Sequence, residues 1–369
     1  MAINRQRHIL VAPLDWGLGH TTRCVPLIRH LLAEGHRVMV AGNDPQRRFI
    51  EESFPGIKTI HLEGYNVRYS NTYSGFLLTL LSQLPRLLRT IRHEREWLEE
   101  QVAAYGFDGV ISDNRYGLYH NKVPSVIITH QLQVQTGMGS FADQLTRQQH
   151  YSYLQRFGQC WVADMPGTPN LGGILSHPPV IPPQAKYIGL LSQMQQPQAF
   201  SDGNHLLILL SGPEPQRTIL SDMLWGQLKD YTGKVVFVEG SSQVTPRENI
   251  PVNMSYYMRL TRQQLQPLIE QASMVVCRSG YSSLMDLLML RRKAILIPTP
   301  GQTEQEYLAR HLQEQGVFYT MQQKDMVLKT ALQAAADFPF HSLITGNEYH
   351  LFASVIDEWL HTVCAERHQ

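Results

Sequence analysis

Two doubly wound α/β domains in tandem are the fold the sequence predicts, and three observations predict it. Short β-branched runs alternate with longer helical patterns through the first half; a Pro- and Gln-rich stretch breaks that rhythm near residues 190–203; the alternation then restarts. At 369 residues the chain has room for two domains of ordinary size, and 43% hydrophobic against 17% charged residues suits a folded chain.

The elements follow in order. HILVAPL (8–14) reads as a buried strand, TTRCVPLIRHLLAEG (21–35) as an amphipathic helix stopped at Gly35, and HRVMVAG (36–42) as the next strand. A helix near 45–53, a strand near 57–62 and the short strands GVIS (109–112) and SVIIT (125–129) continue the series. After HPPVIPPQAKYIG (177–189) and QMQQPQAFSDGN (193–204), which have the composition of a linker, HLLILLS (205–211) opens a second set. KVVFVEG (234–240), ASMVVC (272–277) and AILIP (294–298) are its further strands, and the tail NEYHLFASVIDEWLHTV (347–363) has helical spacing. The predicted organisation is therefore a domain at 1–190, another at 204–346, and a helix over 347–369 packing back on the first; the two Rossmann-like halves are expected to face a cleft.

Charge and cysteines exclude several classes. The formal net charge of +1 gives no basic field for nucleic acid. Cys24, Cys160, Cys277 and Cys364 are scattered with no CxxC, so neither a zinc cluster nor a disulfide framework is expected. The first twenty residues have too short an apolar run for a signal peptide, and no stretch reaches the ~20 apolar residues of a spanning helix. A cytoplasmic protein is expected, with peripheral contact at the inner face of the membrane left open.

The loop after the first strand, DWGLGHTTRC, puts Gly17, Gly19 and His20 at a helix start, where backbone amides can approach an anion. It is an incomplete dinucleotide fingerprint, because Thr22 stands where the third glycine of G-x-G-x-x-G belongs; Asp44, near the end of the second strand, keeps a ribose-binding acid and NAD among the alternatives. His20 can accept a proton from a hydroxyl, or simply cap the loop. Asp113, in ISDNRYG, reads first as a turn-capping aspartate and second as a base.

The segment 272–316 carries more. A strand ends at Cys277, a tight Arg278-Ser279-Gly280 turn follows, and a helix opens near Tyr281; unpaired amides there can hold a diphosphate without a metal. An ordinary N-cap and turn would explain Ser279 and Gly280 equally. Asp286 lies two turns into that helix, within reach of ribose hydroxyls. A second loop, after Ile297-Pro298, opens a helix with Gln302, Glu304, Gln305 and Tyr307.

Together these segments resemble the C-terminal half of glycosyltransferase family 28, the MurG-like transferases of the GT-B superfamily. That family carries a C-R-S-G turn, an acid six residues on, and a proline-containing strand leading into Q-Q-Y. Here the turn is Cys277-Arg278-Ser279-Gly280; aspartate (Asp286) replaces glutamate, Pro298 is the proline, and Glu306 replaces the second glutamine before Tyr307. The resemblance implies that Ser279, Gly280, Asp286 and Gln305 surround a UDP-sugar, with Arg278, Gln302 and Glu304 beside them. It further implies that Ser211-Gly212, in SGPEP, occupies the place of the family's diphosphate loop, and that Gly19-His20 lies near the acceptor. The reaction implied is transfer from UDP-sugar to a hydroxyl, inverting, with His20 as base and Asp113 as second choice, in cell-envelope or other glycan synthesis. The UDP-sugar is a co-substrate and no cofactor is expected; without any D-x-D, no metal is expected either.

Two other functions stay open. The loop also resembles the G-x-G-H-x-x-R-C loop of PseG-like UDP-sugar hydrolases, which Gly17, Gly19, His20, Arg23 and Cys24 would match. A non-catalytic nucleotide-sugar binding protein is the other. For the acceptor, residues 76–98 combine a leucine-rich face (Leu84, Leu87, Leu88, Ile91) with Arg86, Arg89, Arg92 and Arg95, interrupted by Pro85. A helix packed on its own sheet with a solvated basic face is the first reading; docking on anionic lipid or a lipid-linked acceptor is the second.

Overall fold

The computed structural model describes residues 6–65, 73–134, 139–200, 202–241, 246–343 and 350–365, with side chains for all of these except 73–84, 140–141 and 364–365. The chain divides into two compact units, Met1–Gln193 with Gly346–Gln369, and Met194–Thr345. Each unit is built on a parallel sheet, so the chain has the two Rossmann-like domains of the GT-B fold.

In chain order the first unit holds β1 (His8–Pro13), α1 (Leu18–Ala33), β2 (Arg37–Gly42), α2 (Asp44–Ser53), β3 (Lys58–His61), α3 (Tyr73–Tyr105), β4 (Gly109–Asp113), β5 (Ser125–Thr129), α4 (Ser140–Leu154), β6 (Gln159–Val162) and β7 (Ala185–Tyr187). The second holds β8 (His205–Leu209), α5 (Gln216–Leu228), β9 (Val235–Val238), β10 (Met254–Tyr257), α6 (Arg262–Glu270), β11 (Ala272–Cys277), α7 (Tyr281–Met289), β12 (Ala294–Leu296), α8 (Thr303–Glu314), β13 (Tyr319–Thr320) and α9 (Leu328–Ala336); α10 (Leu351–Ala365) returns to the first.

The sheet orders are β3-β2-β1-β4-β5-β6-β7 and β10-β9-β8-β11-β12-β13. In each, the order reverses between the unit's first strand and its next inward neighbour: β1 beside β4, and β8 beside β11. At such a switch point the loops leaving two adjacent strands diverge to opposite faces and leave a crevice at the strands' carboxyl ends. Central strands are apolar on both faces, as helix-covered parallel strands must be; Ile9, Leu10, Val11 and Ala12 of β1 are fully buried.

The helix α10 closes the amino edge of the first sheet. Trp359 meets Trp161 of β6 edge-on at 5.5 Å, and its ring fills the space over Gly109, where a Cβ would stand 2.5 Å from Cη2. His30 Nε2 lies 2.8 Å from Asp357 Oδ1, joining α10 to α1. Residues 194–200 and 202–203, with a linker's composition, group with the second unit. Gln195 there exchanges two backbone hydrogen bonds with the Gln266 side chain of α6, at 3.1 and 2.9 Å.

The helix α3 continues through Pro85, which interrupts its hydropathy pattern. One expectation for this helix is corrected. Its arginines and leucines are not cleanly segregated: Leu88 is exposed beside Arg86, Arg89 and Arg92, while Arg95 bonds to the Tyr119 carbonyl, pairs with Glu99 at 2.7 Å and stacks on the Tyr119 ring. Residues 66–72, and the side chains of 73–84 including Leu84, lie outside the description. Among the described residues no helix is long and apolar enough to cross a membrane.

Candidate functional site

The crevice of the first unit is built from loops whose order is imposed by buried polar groups. Gly17 is the N-cap of α1 with φ +80°, a conformation open to glycine and strained for other residues. From α2, the buried Gln46 amide donates to Pro13 O, Leu14 O and Thr21 Oγ1, fixing the loop after β1 to the first turns of α1. Asp15 accepts from Tyr65 N at 2.9 Å, and the buried Arg115 lies 4.0 Å from Asp15 and 3.3 Å from Glu94, tying the loops after β1, β3 and β4 to α3.

On that scaffold His20 meets Asp113, the last residue of β4: Nδ1 is 3.2 Å from Oδ2. Asp113 is fully buried, and Arg23, one turn further along α1, grips it with a fork, Nε to Oδ2 at 2.7 Å and Nη2 to Oδ1. Nη2 also lies 2.8 Å from His20 Nδ1, and Nη1 2.7 Å from Nδ1 of His130, just past β5. Burial pushes the Asp113 carboxyl up, but Arg23 and then His20 outweigh it and hold it at about 2. The side chain of Asp113 is therefore turned to His20, Arg23 and Cys24 rather than to the backbone of a turn, and its ionised form braces these neighbours. Burial, then the Arg23 charge, lowers His20 below the ordinary imidazole range despite the pull of Asp113. Cys24 Sγ is 3.9 Å from Asp113 Oδ2, and burial raises its thiol far out of the thiolate range, so it packs rather than reacts.

The second unit brings its candidate residues together at its own switch point. Arg278 departs most from its expected place: it is 1% exposed, and its guanidinium donates to Ile297 O, Pro298 O and Gln216 O. It staples the loops after β11 and β12 to the start of α5 instead of presenting charge to a ligand. Ser279, also buried, donates from Oγ to Gln305 O at 2.8 Å. Gln305 closes the loop after β12, accepting from Thr299 N at 2.9 Å and donating to Gln302 at 2.5 Å, while Glu306 accepts from Gly301 N. Ser211 and Gly212 follow β8, and a Cβ on Gly212 (φ +100°) would stand 3.9 Å from Thr299 Oγ1, itself buried and unpartnered.

Between these loops lies the N-terminus of α7. Its N-cap Gly280 supplies no side-chain cap, has φ −74°, and its missing Cβ would point into space empty to 4 Å. A helix N-terminus with open space beside its N-cap at a switch point is suited to a diphosphate. Asp286 sits on α7 at 9% exposure; Gln302 and Glu304 are half-buried at the start of α8. Among the described residues no three His, Cys, Asp or Glu side chains are grouped to hold a metal ion.

Known proteins resemble this chain in two ways. Residues 221–338 match the glycosyltransferase family 28 C-terminal domain, so the second unit is related to that family. Over 139 residues the chain is 28% identical to a UDP-N-acetylglucosamine--N-acetylmuramyl-(pentapeptide) pyrophosphoryl-undecaprenol N-acetylglucosamine transferase of Caldanaerobacter subterraneus subsp. tengcongensis; the match takes in 35% of this chain and 38% of that one. In fold, the chain is similar along 96% of its length to the whole glycotransferase of kitacinnamycin, at TM-score 0.66 and 17% identity. It is similar along 98% to the glycosyltransferase SnogD from Streptomyces nogalater (98% of that chain), at 0.63 and 12%. The glycosyltransferase VinC, in complex with dTDP, matches over 96% of each chain at 0.57 and 14%.

Proposed function

We propose that this chain, related through its second unit to glycosyltransferase family 28, transfers a sugar from a nucleoside-diphosphate sugar to a hydroxyl acceptor, inverting and without a metal ion. The observation that carries the reading is the N-terminus of α7, whose N-cap Gly280 has no side chain and borders open space, at the switch point of the unit that matches the family's C-terminal domain. There the positive end of the helix dipole would receive the charge of the departing diphosphate. The base is His20: with its proton on Nδ1 toward Asp113, Nε2 has a lone pair for the acceptor hydroxyl, and Asp113 steadies the imidazolium that forms.

UDP is the nucleotide we favour, because the family 28 relative is named for UDP-N-acetylglucosamine; dTDP, which VinC binds, is the alternative. A lipid-linked acceptor, glycan synthesis in the cell envelope and work at the inner face of the membrane extend the same reading from that relative's undecaprenol substrate. The exposed Arg86, Leu88, Arg89 and Arg92 on α3 support it. The test is a panel of UDP-, dTDP- and GDP-sugars, first by thermal shift and then with labelled sugar and candidate acceptors. Stabilisation by UDP compounds with label moving to an acceptor supports the proposal; stabilisation by none of them ends it.

The cluster of His20, Arg23 and Cys24 around Asp113 favours a second reading, a PseG-like hydrolase in which water replaces the acceptor. Stoichiometric free sugar from a UDP-sugar alone would select it.

A further inference from the structure

The crowded nitrogen in the first unit is Nδ1 of His20. It has Asp113 Oδ2 at 3.2 Å and Arg23 Nη2 at 2.8 Å, and it can satisfy only one of them. A guanidinium only donates, so a bond from Arg23 needs a bare Nδ1 and puts the ring's proton on Nε2; an ionised carboxylate only accepts, so a bond to Asp113 needs the proton on Nδ1. We infer that Arg23 is a positioning residue that sets the tautomer of His20, holding the resting imidazole with its proton on Nε2, where it donates and cannot act as a base.

Three observations favour Arg23 over Asp113 as the partner. Its approach to Nδ1 is the shorter by 0.4 Å. Asp113 already has hydrogen bonds on both oxygens from the Arg23 fork, so His20 is not needed to satisfy it. Of the two hydrogens on Nη2, one faces Asp113 Oδ1; for the other, His20 Nδ1 is closer than the Asn114 amide oxygen, 3.1 Å away when its nitrogen reaches Ile128 O. The other side of the guanidinium repeats the pattern: Nη1 is 2.7 Å from His130 Nδ1, whose tautomer it would fix in the same way. Among the described residues the titratable groups that act on His20 are Arg23 on its own helix, Asp113 on β4 and His130 after β5, with Cys24 and Tyr116 acting on Asp113; of these only Asp113 draws a proton to Nδ1.

To become a base, His20 must release the Nε2 proton to solvent and take one on Nδ1, which then swings from Arg23 to donate to Asp113 Oδ2. The ring's charge is unchanged and one proton is exchanged for another. This consequence rests on the transferase reading; the tautomer does not, so an experiment that reads the nitrogens separates the two. The full chain is labelled with 15N-histidine and its long-range 1H–15N correlations recorded at pH 7.5, His20 being assigned by the signal lost in His20→Gln. Expected is a bare, pyridine-like Nδ1 and a protonated Nε2. In Arg23→Lys, whose ammonium pairs with Asp113 but lacks the fork, the pattern inverts to Nδ1–H. A protonated Nδ1 in the unaltered protein overturns the inference, whatever the variant does, and so does an Nε2–H pattern that persists in Arg23→Lys.

Discussion

At the scale of single residues the two crevices make opposite demands, and substitutions should separate them. His20→Ala is expected to lower kcat by about 10²- to 10⁴-fold, the usual contribution of a positioned base, while the affinity for UDP, measured by calorimetry, stays unchanged. Loss of nucleotide affinity together with kcat would remove His20 from the base's role. Asp113→Asn is expected to act on the fold as well, because it leaves the buried Arg23 guanidinium uncompensated; a loss of about 3 kcal/mol in urea unfolding is the scale for a broken buried pair. Gly280→Asp should move stability and binding in opposite directions. At φ −74° and with open space beyond its Cβ, the position accepts a carboxylate, which caps α7 and gains about 0.5 kcal/mol. The same carboxylate takes the amides and repels a diphosphate, so UDP affinity should fall by at least about tenfold, or 1.4 kcal/mol. Unchanged affinity would move the nucleotide elsewhere. In the sequence, Gly280 and His20 could be singled out because glycine and histidine at strand-to-helix turns have recognisable uses. Arg278 could not be placed: a turn arginine looks the same whether it meets a ligand or, as here, three backbone carbonyls. His130 carried no signal, since Arg23 lies 107 residues away, and Gln46 carried only the local one of a capping box with Asn43, its partners in the crevice lying 33, 32 and 25 residues away.

At the scale of elements, the strands were legible and the long helix was less so. A parallel strand covered on both faces is a continuous apolar run, and ILVA in β1 or MVVC in β11 has little other use. The pattern in α3 is harder to read, because Pro85 interrupts it where the helix continues, and because Arg95 and Leu88 exchange the places that hydropathy gives them. Packing between distant elements leaves a mark only in hindsight, as at Gly109. Its φ is not in the left-handed region, so the requirement is for space: a Cβ would enter the Trp359 ring. Gly109→Ala is therefore expected to cost about 1–3 kcal/mol by overpacking. Trp359→Leu should relieve the clash, so that the double variant loses less than the two single changes summed. Strict additivity in denaturant unfolding would show that α10 does not press on β4.

At the scale of the whole molecule, buried imidazoles make the fold sensitive to mild acid. Burial lowers His8, His20 and His36, and pushes His150 down to about 4, in the first unit; it lowers His205 in the second. An unfolded chain titrates its histidines near the ordinary value of about 6.5. Below that pH the unfolded state binds protons that the folded state refuses, so stability falls as pH drops and is fully recovered above it. For His150 the loss runs from about pH 6.5 down to about 4 and then stops, and it amounts to about 3 kcal/mol. The paired carboxylate of Asp113, held at about 2 in the folded chain, adds its own loss only below about pH 5, where the unfolded carboxyl begins to bind protons. Calorimetric Tm should accordingly be flat above about pH 7 and fall steadily between 6.5 and 4.5. His150→Gln removes one titrating ring from the first unit but keeps a polar group for the Tyr116 hydroxyl, 3.1 Å away, and should make the fall shallower. An unaltered slope in His150→Gln would mean that this ring takes up its proton in the folded state. A Tm independent of pH across the whole window would mean that all of the buried rings do.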